Sequence, residues 1–247
     1  MDNDDKQVGR ILTRREVLAL MGVAGIGAVA ARSGGQAIGE RTGVVRLPAC
    51  VVRPQQTEGP YFTDVKLNRG DIRSDPANGA VRDGVPLDLT IRVSRVTAGS
   101  CAVLAGAMVD VWQCDASGVY SDVRDMNALF DTRGQKWLRG YQRTDAGGLA
   151  RFTTIYPGWY QGRTTHIHFK VRAPGEGGRE YEFTSQLYFN DAQSDAIFAR
   201  PPYASNKQRR VRNDGDGIFR RGGEQLLVPL EKRGEAYAGV FDLGLQI

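Results

Sequence analysis

The sequence predicts an all-β fold, specifically a β-sandwich whose strands are joined by long irregular loops. Short runs in which apolar and polar residues alternate recur along the chain, separated by turns rich in Gly, Pro and Asp, as expected of strands with one buried face. No segment between these runs shows the period of about 3.6 residues that marks an amphipathic helix. The chain has 247 residues and is 41% apolar, which is enough to bury the core of one large all-β domain or of two small ones.

Seven runs are predicted as strands from this alternation. They span residues 87–96, 107–114, 150–155, 165–173, 183–189, 226–230 and 237–243. Residues 191–216 lack alternation, so we predict a long loop with one helical turn, and long loops in compact domains are often functional. Within it, the run Asn-Asp-Gly-Asp-Gly at 213–217 shares part of a calcium-loop pattern but lacks the remaining spacing and the terminal Glu. We interpret that run as a turn.

The amino-terminal segment is predicted to be an export signal and not part of the fold. Arg14 and Arg15 precede a short apolar run, 17–31, that ends in small residues, a pattern typical of a twin-arginine signal peptide. The run is shorter than the eighteen or so residues of a membrane-spanning helix, so an uncleaved anchor is the weaker alternative. We therefore expect a signal at 1–31, a flexible linker at 32–46 and one β-sandwich domain at 47–247. The protein would be periplasmic or extracellular, without stable membrane insertion after cleavage.

Charge gives little support for a nucleic-acid partner. The formal net charge is +5, but positive and negative residues are interspersed. The basic run at 207–212 is the one stretch that could favour such binding, and we interpret it as a solvated loop. We predict no nucleic-acid binding.

The three cysteines, Cys50, Cys101 and Cys114, are too few for a disulfide framework and too widely spaced for a zinc knuckle. In an export compartment we expect one disulfide and one remaining thiol. Cys101 and Cys114 stand at or beyond opposite ends of a predicted strand and are not expected to bond to each other. The expected pair is Cys50 with one of them.

Both histidines of the chain, His166 and His168, lie in one predicted strand and therefore on one face of it. They are either a metal-binding pair or two partly exposed side chains on a half-buried strand. Two imidazoles cannot fill the coordination shell of a metal, so further ligands are needed. Tyr120 and Tyr160, which stand close to predicted turns and strand ends, are the candidates. Each tyrosine alone would be an ordinary aromatic residue. Two phenolates with two imidazoles, however, would suit ferric iron, because phenolate is a hard oxygen donor.

Several blocks together resemble the intradiol ring-cleavage dioxygenase family, and they occur in the family's order from 56 to about 189. The block Arg-Thr-Thr-His-Ile-His at 163–168 matches the signature Arg-x-x-His-x-His. The other blocks are Thr-Glu-Gly-Pro-Tyr-Phe at 57–62, the strand and turn at 109–121, and the approach to Tyr160 through 143–145, Phe152, 154–155 and 157–158. The resemblance implies a β-sandwich of the intradiol dioxygenase type. It also implies one non-haem Fe(III) per chain, held by Tyr120, Tyr160, His166 and His168.

The resemblance also implies an activity and roles for individual residues. A catechol-type diol would be cleaved by dioxygen between its two hydroxylated carbons to give a muconate-type diacid. Tyr160 would be the releasable ligand that takes a substrate proton. Arg163 would stabilise charge that develops on the ring, and Gln186 matches a polar residue near the same ring. The mouth of the substrate site would be lined by Gly59, Pro60 and Tyr61.

Two alternatives come from other classes of protein. One is an exported β-sandwich module that binds a metal or a diol without turnover, and the other is a zinc or copper protein that uses the His-x-His pair. The four-residue ligand set together with Arg163 argues against the binding module, and a colourless protein or a copper spectrum would distinguish the zinc or copper protein. The size and all-β pattern are nearer to a protocatechuate-type subunit than to the catechol-cleaving branch, and the signal resembles that of an exported subgroup. The preferred diol stays open, and so does a homo-oligomer.

Overall fold

The structure is a computed structural model that describes residues 51–97 and 100–247. The predicted signal and linker and Cys50 lie outside the described residues, and the domain boundary at residue 47 stays a prediction. Within the described ranges, Cys101 is disulfide-bonded and Cys114 is a buried free thiol. The prediction that these two cysteines do not bond to each other is therefore confirmed. No helix in the described ranges is long and apolar enough to cross a membrane.

The described part of the chain contains nine strands and one α-helix. The strands are β1 Pro86–Thr97, β2 Ser100–Val103, β3 Met108–Trp112, β4 Arg139–Arg143, β5 Leu149–Ile155, β6 His166–Pro174, β7 Glu180–Tyr188, β8 Leu230–Arg233 and β9 Ala236–Leu245. Helix α1 spans Asp191–Phe198, and the Asn190 side chain caps it by accepting from the backbone N–H groups of Ala192 and Gln193. Short 3-10 turns lie at Glu176–Gly178, Tyr203–Ser205, Asn213–Gly215 and Gly223–Leu226.

The strands form two sheets. The first has the order β2-β1-β9-β8, with β5 also paired to β1. Its β1 and β9 run parallel, and its other pairs are antiparallel. The second sheet has the order β4-β3-β6-β7 and is antiparallel throughout. Two packed, largely antiparallel sheets confirm the predicted β-sandwich.

The core lies between the two sheets and follows the alternation of the strands. On β6 the inward residues Ile167, Phe169 and Val171 are fully buried, and Leu89 and Phe241 are among the buried residues of the other sheet. Each such side chain contributes roughly 1.5–3 kcal/mol when it is removed from water. Packing in the core therefore explains why the inward residues of β6 are apolar. It does not explain the two histidines on the opposite face of the strand.

The outer face of the second sheet is also buried. His168 on β6 lies directly opposite Trp112 on β3 and Gln186 on β7, so these side chains share that face. The chain before β1 crosses over it, since Gln56 N donates to Thr184 O at 3.0 Å and Lys170 pairs with Glu58. The sheet thus carries an apolar core on one face and enclosed polar side chains on the other.

Three elements differ from the sequence prediction. Strands β2 and β4 were not predicted, because β2 is short and largely exposed and β4 carries the sequence Arg-Gly-Tyr-Gln-Arg without apolar alternation. The prediction of a strand at 226–230 is wrong. Leu226 ends a 3-10 turn and is buried, and β8 begins only at Leu230 as an exposed strand paired with β9. The helical turn expected within 191–216 is confirmed as α1.

Candidate metal centre

The two histidines place their ring nitrogens together on the outer face of β6. His166 Nε2 lies 3.0 Å from His168 Nε2. His166 Nδ1 lies 2.6 Å from the carbonyl oxygen of Thr164, which can only accept, so Nδ1 donates and Nε2 keeps its lone pair free for a ligand bond. Burial, followed by the positive charge of Arg163, lowers the pKa of His166 well below its usual value. Burial, followed by the charges of His166 and Arg163, does the same for the pKa of His168. Both rings are therefore neutral at pH 7, which is the metal-binding form.

Both predicted tyrosines meet this histidine pair. Tyr160 Oη lies 3.3 Å and Tyr120 Oη 3.5 Å from His166 Nε2. Tyr120 is fully buried, whereas Tyr160 is partly exposed. Four potential donor atoms, two oxygens and two nitrogens, thus surround one point beside the sheet.

Two glycines allow the turns that carry the tyrosines to pack against each other. Gly118 has φ +86°, and a Cβ there would collide with the carbonyl oxygen of Trp159. A Cβ on Gly158 would come within 2.5 Å of Asp115 O. The first turn is further braced because Asp115 Oδ1 accepts from the backbone nitrogens of Ser117 and Val119. Direct contact between the two backbones brings Tyr120 and Tyr160 to the same side of the histidine pair.

The donor set fits a highly charged cation. Burial raises the pKa of Tyr120 well above its usual value, and burial raises the pKa of Tyr160 to about 12. Neither phenol would therefore ionise at pH 7 unless a cation compensates. Two phenolates and two neutral imidazoles are ligands for ferric iron. Among the described residues no group of three or more His, Cys, Asp and Glu side chains could hold a metal, so a site here depends on the tyrosines.

Arg163 places a positive charge beside these donors. Its Nη1 lies 3.5 Å from both Tyr160 Oη and His166 Nε2. Its Nε donates to Asp216 Oδ2 at 2.8 Å, and its Nη2 donates to Gln186 Oε1 at 2.5 Å. Burial disfavours the guanidinium, but Tyr160 and Asp216 outweigh that effect and raise the pKa of Arg163. The side chain stays charged and is fixed in direction.

Gln186 is fully buried and all its polar atoms have protein partners. Its Oε1 accepts from Arg163 and from Tyr188 Oη, and its Nε2 donates to Thr57 O at 2.9 Å. The structure thus brings Gln186 to the site through Arg163. It links the guanidinium to the segment that crosses the sheet.

The three residues predicted at the mouth have different positions. Gly59 lies against His168, since a Cβ there would be 3.2 Å from His168 Cε1. The Tyr61 ring stacks on Tyr120 with a centroid distance of 4.7 Å, and its hydroxyl donates to Asp125 Oδ1 at 2.6 Å. Pro60, between them, is exposed. Gly59 and Tyr61 therefore contact two of the candidate metal ligands, His168 and Tyr120.

Sequence reasoning missed several residues that hold the site. Asp216, treated as part of a turn, is 1% exposed and accepts from Arg163 Nε and from Thr164 N. Asn213 Oδ1 accepts from Thr164 Oγ1 at 2.7 Å. Trp112 stacks on the His168 ring, with centroids 5.0 Å apart. The one usable signal for Asp216 was its place in a long loop that was itself predicted to be functional.

Fold and site together define a β-sandwich protein in which two tyrosines and two histidines form a candidate metal centre. A family described as "Dioxygenase" matches residues 57–215. An intradiol ring-cleavage dioxygenase from Tetranychus urticae is 30% identical, with a TM-score of 0.67 over 80% of this chain and 95% of that chain. The dioxygenase domain of a carbohydrate-binding fusion protein from Streptomyces sp. SirexAA-E is 31% identical, with a TM-score of 0.57 over 80% of this chain and 99% of that one.

A curated relative is similar over a shorter stretch. The protocatechuate 3,4-dioxygenase beta chain of Burkholderia cepacia is 33% identical over 143 residues, which is 54% of this chain and 57% of that protein. The chain thus spans about half the length of the curated relatives it matches. The chain belongs to the intradiol ring-cleavage dioxygenase family.

Proposed function

We propose that the protein cleaves a catechol-type diol with dioxygen between the two hydroxylated carbons, using one non-haem Fe(III) and forming a muconate-type diacid. The observation that carries this proposal is the convergence of four donor atoms from Tyr120, Tyr160, His166 and His168. Arg163, a fixed cation 3.5 Å from two of those atoms, adds a group that the reaction needs.

The four donors would hold the iron. When bound, ferric iron would supply a Lewis acid that binds the diol oxygens and draws electron density from the ring, making it reactive towards dioxygen. Zinc and copper are less favoured occupants, because two phenol oxygens in the set suit a harder, more highly charged ion.

The chain's own residues supply proton transfer and charge stabilisation. Tyr160 is partly exposed, and its phenolate would accept the proton of a substrate hydroxyl. The Arg163 guanidinium would stabilise negative charge that develops on the ring during cleavage, and charge interactions are strong there because the Arg163 side chain is only 14% exposed. Its bonds to Asp216 and Gln186 hold that charge in place before the reaction.

Oxygen uptake and product analysis test the proposed activity. Both atoms of one dioxygen molecule enter the diacid, so cleavage should proceed without added reductant. With catechol and labelled dioxygen, mass spectrometry should find a diacid that carries both labels. A yellow semialdehyde would instead mean cleavage outside the diol, and diol binding without oxygen uptake would mean a binding module.

We also propose that the protein is exported, and the support is the twin-arginine pattern at Arg14 and Arg15. Replacing both residues with lysine in the full-length chain should leave the protein in the cytoplasm of a host with this pathway. Cell fractionation measures the result. Equal export of both forms would contradict the proposal.

A further inference from the structure

A tight turn near the metal centre exposes two large apolar side chains. We call residues 125–130 the 125–130 tip. Met126 is 73% and Leu129 is 71% exposed, and these are the two most exposed large apolar side chains in the described part of the chain. The others are Val81, Val103 and Val240, on separate parts of the fold. Apolar exposure is thus concentrated at one turn.

The shape of the tip does not depend on those two side chains. Asp125 N donates to Phe130 O at 3.0 Å, and Ala128 N donates to Asp125 O at 2.9 Å. Asp125 Oδ2 accepts from the backbone nitrogens of Asn127 and Leu129. Backbone bonds and one carboxylate therefore form the turn, and polar residues at positions 126 and 129 would serve it equally well.

The tip is continuous with the metal centre. Asp125 accepts from the Tyr61 hydroxyl at 2.6 Å, and the Tyr61 ring stacks on Tyr120. The centroid of the Phe130 ring lies 6.3 Å from that of the Tyr61 ring. The Tyr160 ring lies 6.1 Å from the Tyr61 ring in an edge-to-face arrangement. Phe130, which is partly buried, thus packs against the cluster that contains Tyr61 and Tyr120, and it follows the exposed Leu129 directly in the chain.

The charged group at the site is already engaged. Arg163 is bound by Asp216 and Gln186. On the loop that carries the tip, Arg133 pairs with Asp131 at 2.6 Å, and the exposed Arg124 also interacts electrostatically with Asp131. A diol with a carboxylate substituent would have to compete for these partners, whereas an apolar substituent would cover surface that is otherwise in water.

We propose that the 125–130 tip is the substituent-binding part of the substrate site and that the preferred diol carries an extended apolar substituent. This preference presupposes the proposed diol cleavage at the same site. Met126 and Leu129 would contact the substituent while the diol oxygens are held at the metal centre. Contacts of this kind discriminate between substrates by factors on the order of ten.

The test compares wild type with the double variant Met126→Ser/Leu129→Ser. The control is Val81→Ser/Val240→Ser, which removes two exposed valines elsewhere. Each protein is assayed with catechol, with a phenylalkyl-substituted catechol and with 3,4-dihydroxybenzoate. We measure kcat/KM, and in parallel anaerobic binding by calorimetry and iron content.

Wild type should prefer the phenylalkyl catechol, in both kcat/KM and affinity. In the tip variant the ratio of phenylalkyl catechol to catechol should fall roughly tenfold, with iron content unchanged, and the control should keep the wild-type ratio. Equal ratios in the tip variant and wild type, or a wild-type preference for 3,4-dihydroxybenzoate, would overturn the proposal. The proposal would also be overturned if wild type were a dimer and the tip variant a monomer with an unchanged substrate ratio. The tip would then be an interface between two copies of the chain. If no diol is cleaved, the proposed function fails. The anaerobic affinities for the phenylalkyl catechol and for catechol would still show whether the protein prefers the apolar substituent.

Discussion

At the scale of single residues, the two tyrosines of the metal centre differ in exposure although their sequence contexts are similar. Tyr120 is fully buried and stacks beneath Tyr61, while Tyr160 is partly exposed and lies beside Arg163. A partly exposed phenol is better placed to leave a metal and take up a substrate proton than one that is enclosed by protein on all sides. We therefore propose that Tyr160 is the releasable ligand and that Tyr120 stays bound.

Phenylalanine substitutions should separate these two roles. We expect Tyr160→Phe to bind iron but to bind and convert catechol much more slowly, because both the leaving ligand and its proton acceptor are gone. Tyr120→Phe should lose most of the visible absorption that persists in the anaerobic catechol complex. Iron analysis, anaerobic spectra and stopped-flow binding measure these effects. Wild-type binding rates in Tyr160→Phe would contradict the assignment.

Asp216 offers a second prediction at this scale. Its Oδ2 faces two donors, Arg163 Nε and Thr164 N, and its Oδ1 accepts from Ile218 N and Phe219 N. In Asp216→Asn one carboxylate oxygen is replaced by an NH₂ group, which cannot accept from the N–H donors on that side. Arg163 should therefore lose the hydrogen bond that fixes the direction of its side chain. We expect kcat to fall by about 10- to 100-fold, with iron content and colour retained.

The exposed neighbour Asp214 supplies the control. Asp214→Asn changes the same net charge in the same loop and should leave kcat within about twofold of wild type. Equal losses in the two variants would mean that loop charge matters and not the bond to Arg163. Loss of iron from Asp216→Asn alone would show that the loop supports the metal ligands directly.

At the scale of elements, two ion pairs hold the segment at 57–64 on the outer face of β6. Lys170, buried on that face, pairs with Glu58 and with Glu182. Arg172 lies 3.5 Å from Asp64. Between these anchors the segment lays Gly59 against His168 and Tyr61 against Tyr120. The segment therefore closes the metal centre from the side opposite the sheet.

Two glycines isolate the contribution of this contact. Gly59 and Gly79 have nearly equal φ angles, +73° and +72°, but a Cβ at Gly59 meets His168 at 3.2 Å and one at Gly79 meets nothing within 4 Å. Alanine at either position should lower the free energy of unfolding by about 1–2 kcal/mol from the left-handed backbone alone. Only Gly59→Ala should also release iron faster to a chelator. Equal release rates in both variants would rule out the contact with His168 as the cause.

The elements also show which parts of the fold a sequence can reveal. Strand β6 was predictable because its inward residues are apolar and its outward ones are not, and the same alternation places both histidines on one face. Strand β4 has no such pattern, because one of its buried residues is the charged Arg139. This side chain donates hydrogen bonds to Ser121 Oγ and to the backbone oxygen of Tyr61. The bond between Thr164 and Asp216 joins residues 52 positions apart. Periodicity cannot locate a contact set by the path of a long loop.

At the scale of the whole molecule, stability and chemistry occupy opposite faces of one sheet. Ile167 and Phe169 face the sandwich core, while His166 and His168 face the enclosed outer surface. The sheet is a rigid support, and the segment at 57–64 and the loop around Asp216 complete the site on it. Family resemblance predicted the four proposed metal ligands, but the enclosure of the outer face was visible only in three dimensions.

Metal analysis together with an absorption spectrum of the purified protein tests the iron centre most directly. One iron per chain and a red-brown colour from phenolate-to-Fe(III) charge transfer are expected, and the colour should disappear when a chelator and a reductant remove the iron. The measurement needs no knowledge of the preferred diol. A colourless protein with one zinc per chain, or a protein with a copper spectrum, would contradict the ferric centre formed by Tyr120, Tyr160, His166 and His168.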